Sequence, residues 1–497
     1  MTRTMQYLRN RHWTTTALTL VIVAWIILFT ELIIRRHNSF QTFDFDLGIH
    51  DQSLWLLAHG KTFNTVCGLP VFGHHAMFMY YLLVPFVWLG GGPNLWNTFQ
   101  VLALGLAAIP VFKIALYRLN SRIAALAFAI AWLLLPTTIY LVWETFHPET
   151  MAIPFLLTGY YYAISRNSPH TGRLSRTSLA FIWLTAAVLW KEDIALAVMG
   201  IGVLMMWKRQ WRFGATLIGA ASVYFLVVGG VWLVPTLAGD FSSYGALYGN
   251  LGQTPLDVVK NSVLHPSRFY GRLSDNNALG YTGQIMSPLA FMAIFAPITL
   301  IMAVPQYFIN ILTTVDFTWA MMYHYQAVPI VAAIVASIDG VAFIQRRNRN
   351  LGYLCVSAVL IASSIAAVNW GNSPIGKERH YISWGSNTSW IDGWKAAQRR
   401  VGPNDIVSAT YALIPHITHR EVVYSFPNPW IQSNFLNSPS RFVNPDRVKW
   451  IVVPEMQLAP EVTAQLNSLI ASGEFGDAET VNRVTSYRRL RPATPTK

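Results

Sequence analysis

Apolar residues fill long blocks over most of the first 370 positions, with short polar stretches between them. Blocks at 15–34, 95–117, 122–141, 150–165, 178–190, 194–207, 213–235, 286–303, 305–316, 326–344 and 351–369 predict a polytopic α-helical membrane protein of about eleven spans. Transmembrane barrel strands would instead be about ten residues long and alternate in polarity. Two blocks, 178–190 and 194–207, flank Lys191-Glu192-Asp193; joined as one tilted helix they would invert the topology of everything after them. Charge favours two helices. With a cytoplasmic N-terminus, the basic stretches Lys113 to Arg122, Arg166 to Arg176, Lys208 to Arg212 and Arg346 to Arg349 then share the cytoplasmic side. Arg35 and Arg36 are the one exception. On this layout an acidic segment after the first span, His74-His75, Trp143 to Glu149, Lys191 to Asp193 and His324 gather on the outer side, where a single site becomes geometrically possible.

Composition agrees with the pattern: 53% of residues are hydrophobic and 12% charged. The net charge of +13 does not point to nucleic acid, because the Lys and Arg residues lie mostly in short loops between apolar blocks. Cys67 and Cys355 are far apart in sequence and support neither a disulfide framework nor a cysteine metal site. The first block follows Arg3, Arg9 and Arg11 as a signal peptide would, but it is long and runs into Glu31, Arg35 and Arg36, so it reads as a retained span.

Residues 76–90 are apolar but short and end in Gly90-Gly91-Gly92-Pro93, which reads as a helix lying in the outer interface. External loops are expected at 35–94 and 236–285, the second long, polar and rich in Gly, Tyr and Asn. From Asn372 the composition becomes that of a soluble unit. A helix at 391–400, strands near 405–409, 421–424 and 448–453, and a helix near 460–471 read as a small α/β extracytoplasmic domain over 371–497, following a transmembrane domain over 1–370. It carries no dinucleotide glycine fingerprint and no phosphate loop.

The densest polar cluster is Phe43-Asp44-Phe45-Asp46-Leu47-Gly48-Ile49-His50-Asp51-Gln52, three carboxylates and a histidine in ten residues. Ionisable groups beside lipid are costly and tend to be functional. Asp44, Asp46 and Asp51 are candidates for a general base or for ligation of a hard divalent cation, with helix capping as the bland account. In Trp143 to Glu149, Pro148 suits a first helical turn and Glu149 the positive end of that helix; the segment also offers His147 and Glu149 as metal ligands, with His75 as a third. Adjacent histidines seldom ligate one ion, so at most one of His74 and His75 serves. Lys191 suits the phosphate of a lipid-linked donor, and Glu192 and Asp193 share its polar patch; an internal salt bridge is the alternative. Gln52 and His324 complete the expected substrate contacts, although Tyr323 and Tyr325 also allow His324 to be part of an interfacial aromatic cluster. No Ser-His-Asp order, HExxH or paired CxxC supports a hydrolase or zinc protease.

Phe45 to Trp55, Phe146-His147-Pro148-Glu149, Lys191-Glu192-Asp193, and Val407-Ser408-Ala409 through Pro415-His416-Ile417-Thr418-His419-Arg420 resemble, in order and over nearly the whole chain, a bacterial and archaeal membrane-protein family, the domain-of-unknown-function family numbered 2079. That family is grouped with the GT-C glycosyltransferases. The resemblance implies many spans, an acidic first external loop, a polyprenyl-phosphate sugar donor, and a first-loop carboxylate acting as base or metal ligand. Asp46 takes that position, with Asp44 auxiliary and Lys191 against the donor phosphate. Unlike the compact acidic pair of many GT-C enzymes, Asp44 and Asp46 are separated by Phe45. The implied function is an inverting membrane glycosyltransferase acting at the outer face on a cell-envelope glycan, lipid or protein. The competing readings are a lipid or polysaccharide-precursor transporter, against which stands the lack of an evident repeat, and a non-catalytic membrane scaffold.

Overall fold

The computed structural model describes residues 3–169, 172–238, 247–377, 384–386, 388–431, 445–455 and 458–491. Among these, five helices are long and apolar enough to cross a bilayer: Trp13–Asn38, Pro93–Leu119, Trp211–Ala238, Asp316–Arg347 and Arg349–Asn369. The pair Arg122–Leu134 and Pro136–Trp143, bent by 43°, makes a sixth if taken together. The break falls where it should, since Pro136 supplies no amide hydrogen and pushes Leu135 out of the helical region. Tryptophans brace the region: Trp25 Nε1 donates to the Leu133 carbonyl and Trp132 Nε1 to the Leu104 carbonyl, both at 2.9 Å.

By length and apolarity the count is thus five or six, short of the expected eleven. Several other expected spans are short helices. Pro148–Ile164 has 17 residues, Arg176–Val188 has 13 and Ile194–Trp207 has 14. The last two are separate, as the charge pattern required, with Lys191–Asp193 in the break between them. The expected blocks at 286–303 and 305–316 fragment, because Ala290 and Phe291 adopt positive φ and tight 3-10 turns follow. Ile194–Trp207 and Trp211–Tyr224 pack closely through glycines: a Cβ on Gly202 would lie 2.8 Å from the Gly214 carbonyl oxygen, and one on Gly214 2.5 Å from that of Gly202.

The short apolar stretch after His75 forms the helix Tyr80–Trp88, too short to span, with Tyr81, Leu82, Phe86 and Trp88 exposed. The second expected loop is largely helical, with Pro255–Leu264, Pro266–Asp275 and Ala278–Met286; residues 239–246 lie outside the described residues.

The C-terminal region is a five-stranded sheet. Its strands are β3 (Val407–Ala409), β4 (Val423–Ser425), β5 (Trp450–Pro454), β6 (Phe475–Val481) and β7 (Val484–Arg489), ordered β4-β3-β5-β7-β6. β4, β3 and β5 run parallel, and β7 and β6 add antiparallel. Two more strands, β1 (Phe63–Asn64) and β2 (Leu69–Pro70), form a small hairpin after the first membrane helix.

What positions the site is a shared core. Phe40, Ile49, Val66, Cys67 and Leu69 from the first loop bury themselves in one cluster with Ile391, Trp394, Val407, Ile414 and Trp450 of the C-terminal region. Gln52 locks this contact. Its Oε1 accepts from the amides of Thr65 and Val66, both at 3.1 Å, and its Nε2 donates to Thr65 Oγ1 at 3.0 Å and to the Glu421 carbonyl at 3.3 Å. Thr65 Oγ1 in turn donates to the Val423 carbonyl and accepts from the Val423 amide, so the loop is stitched to β4.

Candidate functional site

The acidic segment opens as one wide π-helical turn, Asp44–Gly48, and continues as the helix Ile49–Ala58. Such turns are rare and concentrate at functional sites. Its three carboxylates point to three environments. Asp44 is buried against the sheet and hydrogen-bonds Ser425; burial pushes its carboxyl up to about 6, and its Oδ2 has no partner. Asp51, 1% exposed, accepts from Trp96 Nε1 at 2.6 Å and from the Thr418 hydroxyl, and pairs with His419 Nε2 at 3.2 Å. Burial alone would lower the His419 pKa, but Asp51 outweighs it and holds the imidazole above its ordinary value.

Asp46 faces the helical bundle. His147 Nε2 lies 3.3 Å from Asp46 Oδ1, close enough for an ion pair though off hydrogen-bond geometry. Burial would raise the Asp46 carboxyl, but the His147 charge overrides this and keeps it below its usual range. Burial likewise opposes the charge on His147, yet Glu144 and Asp46 raise its imidazole to about 10.

The turn before His147 is built for this. Thr145 sits at φ +85, a strained conformation for a β-branched residue. It sends Glu144 and His147 towards the same point, and Gln100 Oε1 holds the turn by accepting from the His147 amide at 2.6 Å. The second histidine comes from far along the chain. The His324 ring stacks on His147 with centroids 4.1 Å apart and planes at 19°; its Nδ1 bonds Glu144 Oε1 at 2.7 Å, and its Nε2 lies 3.5 Å from Glu149 Oε1.

One ligand atom each from Asp46, His147 and His324 lie within 4.8 Å of one another. The donor set fits a divalent transition ion, two imidazoles and a carboxylate. Both Nδ1 atoms are engaged, His147 with the Thr145 carbonyl at 3.1 Å and His324 with Glu144, which leaves the Nε2 atoms for a metal.

Lys191 Nζ bridges Glu149 at 2.9 Å and Asp193 at 3.3 Å, which joins the Lys-Glu-Asp motif to this cluster through Glu149. Glu192 turns aside to bond His75 Nδ1 at 2.7 Å and the Ala76 amide at 2.8 Å. The structure therefore gathers Asp46, His147, Glu149, Lys191, Asp193 and His324. The candidate ligand set that the geometry brings together differs in part from the expected one. His147 is common to both, whereas His75 and Glu149 are engaged by Glu192 and Lys191, and Asp46 and His324 stand where those two were expected. Asp51 and Gln52 face the C-terminal region.

Two members were not picked out from sequence. Glu144 lies in a noted segment but was not weighed as a site residue. Arg36 is 2% exposed, lies 4.2 Å over the Trp143 ring, donates Nη1 to the Trp143 carbonyl, and is close enough to act electrostatically on Asp46 and Glu144. Its buried Nε has no hydrogen-bond partner among the described residues. The signal was its breach of the charge pattern, because an arginine on the wrong side of a span needs another reason to be there.

Residues 36–476 match the family described as Predicted membrane protein (DUF2079), so the chain belongs to that family. No protein of curated function matches the sequence. Among solved structures, ArnT from Cupriavidus metallidurans bound to undecaprenyl phosphate superposes with a TM-score of 0.58 at 12% identity, over 97% of this chain and 100% of that one. Its apo state gives 0.56 at 13% identity, over 96% and 98%. The Archaeoglobus fulgidus oligosaccharyltransferase in the apo form gives 0.42 at 12% identity, over 87% and 69%. At these identities the likeness to ArnT is one of fold alone.

Proposed function

We propose that this chain is a membrane glycosyltransferase that takes a sugar from a polyprenyl-phosphate donor and passes it, with inversion, to a hydroxyl of a cell-envelope glycan, lipid or protein at the outer membrane face, with the N-terminus cytoplasmic. The observation that carries the reading is the Asp46–His147–His324 cluster, formed where the first loop meets the bundle. The fold shared with an ArnT solved with undecaprenyl phosphate supports the class of donor.

The geometry of the cluster supports the following roles. Asp46, whose carboxylate stays ionised beside His147, would hold a divalent ion together with His147 and His324, each imidazole giving up its Nε2 proton as the ion binds. When bound, such an ion would supply Lewis-acid stabilisation of the leaving phosphate. Arg36, with its Nε free, and Lys191, steadied by Glu149 and Asp193, supply positive charge for the donor phosphate. The acceptor oxygen attacks the anomeric carbon as the bond to phosphate breaks. Glu144 Oε2, buried and without a hydrogen-bond partner among the described residues, takes the hydroxyl proton.

The test is transfer from a polyprenyl-phosphate sugar in proteoliposomes holding the full chain. Asp46→Asn and Glu144→Gln should each abolish most of it while leaving the protein folded. Unchanged transfer in Asp46→Asn would overturn the assignment of that residue, and no transfer from any polyprenyl-phosphate sugar by the unaltered chain would overturn the donor.

A further inference from the structure

A cavity of about 540 Å³ lies behind the cluster, between the end of the first helix, the start of Pro93–Leu106 and the C-terminal region. His37, Asn38, Asn94, Lys395, His416 and His419 line it, with Asp51 at its wall. Its size suits a small organic ligand. It is separate from the cluster by the thickness of one backbone. Arg36 turns to Trp143 while its neighbour His37 lines the cavity, and the His50 ring packs 5.5 Å from that of His147 while its neighbour Asp51 lines the cavity.

The cavity's hydrogen-bonding pattern selects the ligand. His416 Nε2 and Asn94 Oδ1 are buried and unbonded among the described residues. The His416 ring is also bonded to the backbone of His37, and its faces are covered by His37 at 4.1 Å and Phe40 at 3.9 Å, so only its edge is left for a ligand. Asn94 Nδ2 donates to Asn38 Oδ1 at 3.1 Å, so this amide pair offers an acceptor in one orientation and a donor in the other. The Asp51 carboxylate is already engaged by Trp96, Thr418 and His419, while Lys395 brings donors.

Unpaired acceptors beside Lys395 are poorly served by a phosphate, which offers mainly acceptors. A hydroxyl both donates and accepts, and several hydroxyls on one small ring satisfy all of these groups at once. We propose that this cavity binds a saccharide unit that does not itself react, either free or as the headgroup of a glycolipid. This stands apart from the glycosyl-transfer reading, because the cavity does not open onto the cluster's side chains.

The experiment is ligand-observed NMR on the full chain in nanodiscs with glucose, galactose and N-acetylglucosamine, inorganic phosphate as the competing probe, and vesicles carrying a glucosylated lipid for the headgroup arm. At least one saccharide should bind, free or lipid-borne, equally well to the unaltered chain and to Asp46→Asn, and at least tenfold more weakly to Asn94→Leu and Lys395→Met. Both cavity variants should keep the thermal unfolding of the parent. Binding of phosphate alone, binding lost in Asp46→Asn but kept in Asn94→Leu, or no saccharide binding in either form would each overturn the proposal.

Discussion

Asp46 and Asp51 lie five positions apart on one short segment and live in opposite circumstances. Asp51 is enclosed, and its oxygens are taken by Trp96, Thr418 and His419. Asp46 is 32% exposed at its side chain and faces two imidazoles whose Nε2 atoms are not hydrogen-bonded to protein groups at ordinary distance. A carboxylate whose two oxygens are both engaged by neighbouring donors holds a structure together. One with capacity left over is available for chemistry. The difference comes from the turn of the chain between them: the wide turn at Asp44–Gly48 aims Asp46 at the bundle, and the helix that follows aims Asp51 at the C-terminal region.

The contrast is sharpest if each residue is removed in turn. Asp51→Ala leaves three donors facing a void and should lower unfolding stability by about 3 kcal/mol, read as a fall in Tm of the detergent-solubilised protein. Transfer per folded molecule should change little; a collapse of activity at unchanged Tm would reverse the two roles. Asp46→Asn should do the opposite and cut transfer by about a hundredfold or more at near-parental Tm.

A smaller effect separates the cluster's ligands from their supports. Zn²⁺ affinity, followed by competition with a chromogenic chelator, should fall by about tenfold in Glu144→Gln, which loosens His324, and should be unmoved in Asp51→Ala. Equal affinity in all of these forms would remove the metal from the account.

The smallest expected effects lie at the surface. Because Asp51 holds the folded His419 above its ordinary pKa, the pair contributes stability that is full below about pH 6.5 and is lost as pH rises through the folded value. The Tm gap between the parent and His419→Gln should therefore narrow from about pH 6 to about pH 9. Lys61 and Glu421, paired at 3.3 Å with half or more of each side chain exposed, should contribute under about 1 kcal/mol when tested by a double-mutant cycle.

Most of the cluster was legible as local motifs. The acidic segment, the His147 segment and Lys191-Glu192-Asp193 each stood out because charge is scarce in this chain, and the charge pattern of the loops put them on one side. What local reading cannot supply is aim. His324 sits among aromatics that suit an interfacial position equally well, and only the packing of its ring on His147, 177 positions away, separates the two readings. His75, expected as a third ligand, is held by Glu192, a partner 117 positions away that no local motif announces.

The same limit applies to the fold. β3, β4 and β5 were visible as short apolar runs, but β6 and β7 were not expected, because Asp477, Glu479, Arg488 and Arg489 interrupt the alternation of apolar and polar residues that marks a strand. Their hairpin turns on Asn482 and Arg483, both at positive φ, and arginine there gives little warning of such a turn. The helices between 148 and 207, of 13 to 17 residues, are apolar but shorter than the length that by itself marks a span.

Gln52 carries a consequence for anyone exchanging parts among relatives of this protein. Its bonds reach Thr65 on one side and the backbone of Arg420 and Glu421 on the other, so the acidic segment is registered against the C-terminal region atom by atom. A chimera that takes the C-terminal region from one parent and the first loop from another would inherit two halves of a lock cut for different keys, and Asp46 would be misdirected although no residue near it had been altered. The natural unit of exchange is therefore discontinuous: residues 36–70 must travel with 388–491, and the bundle between them can come from elsewhere only if it brings its own partners for Asp46.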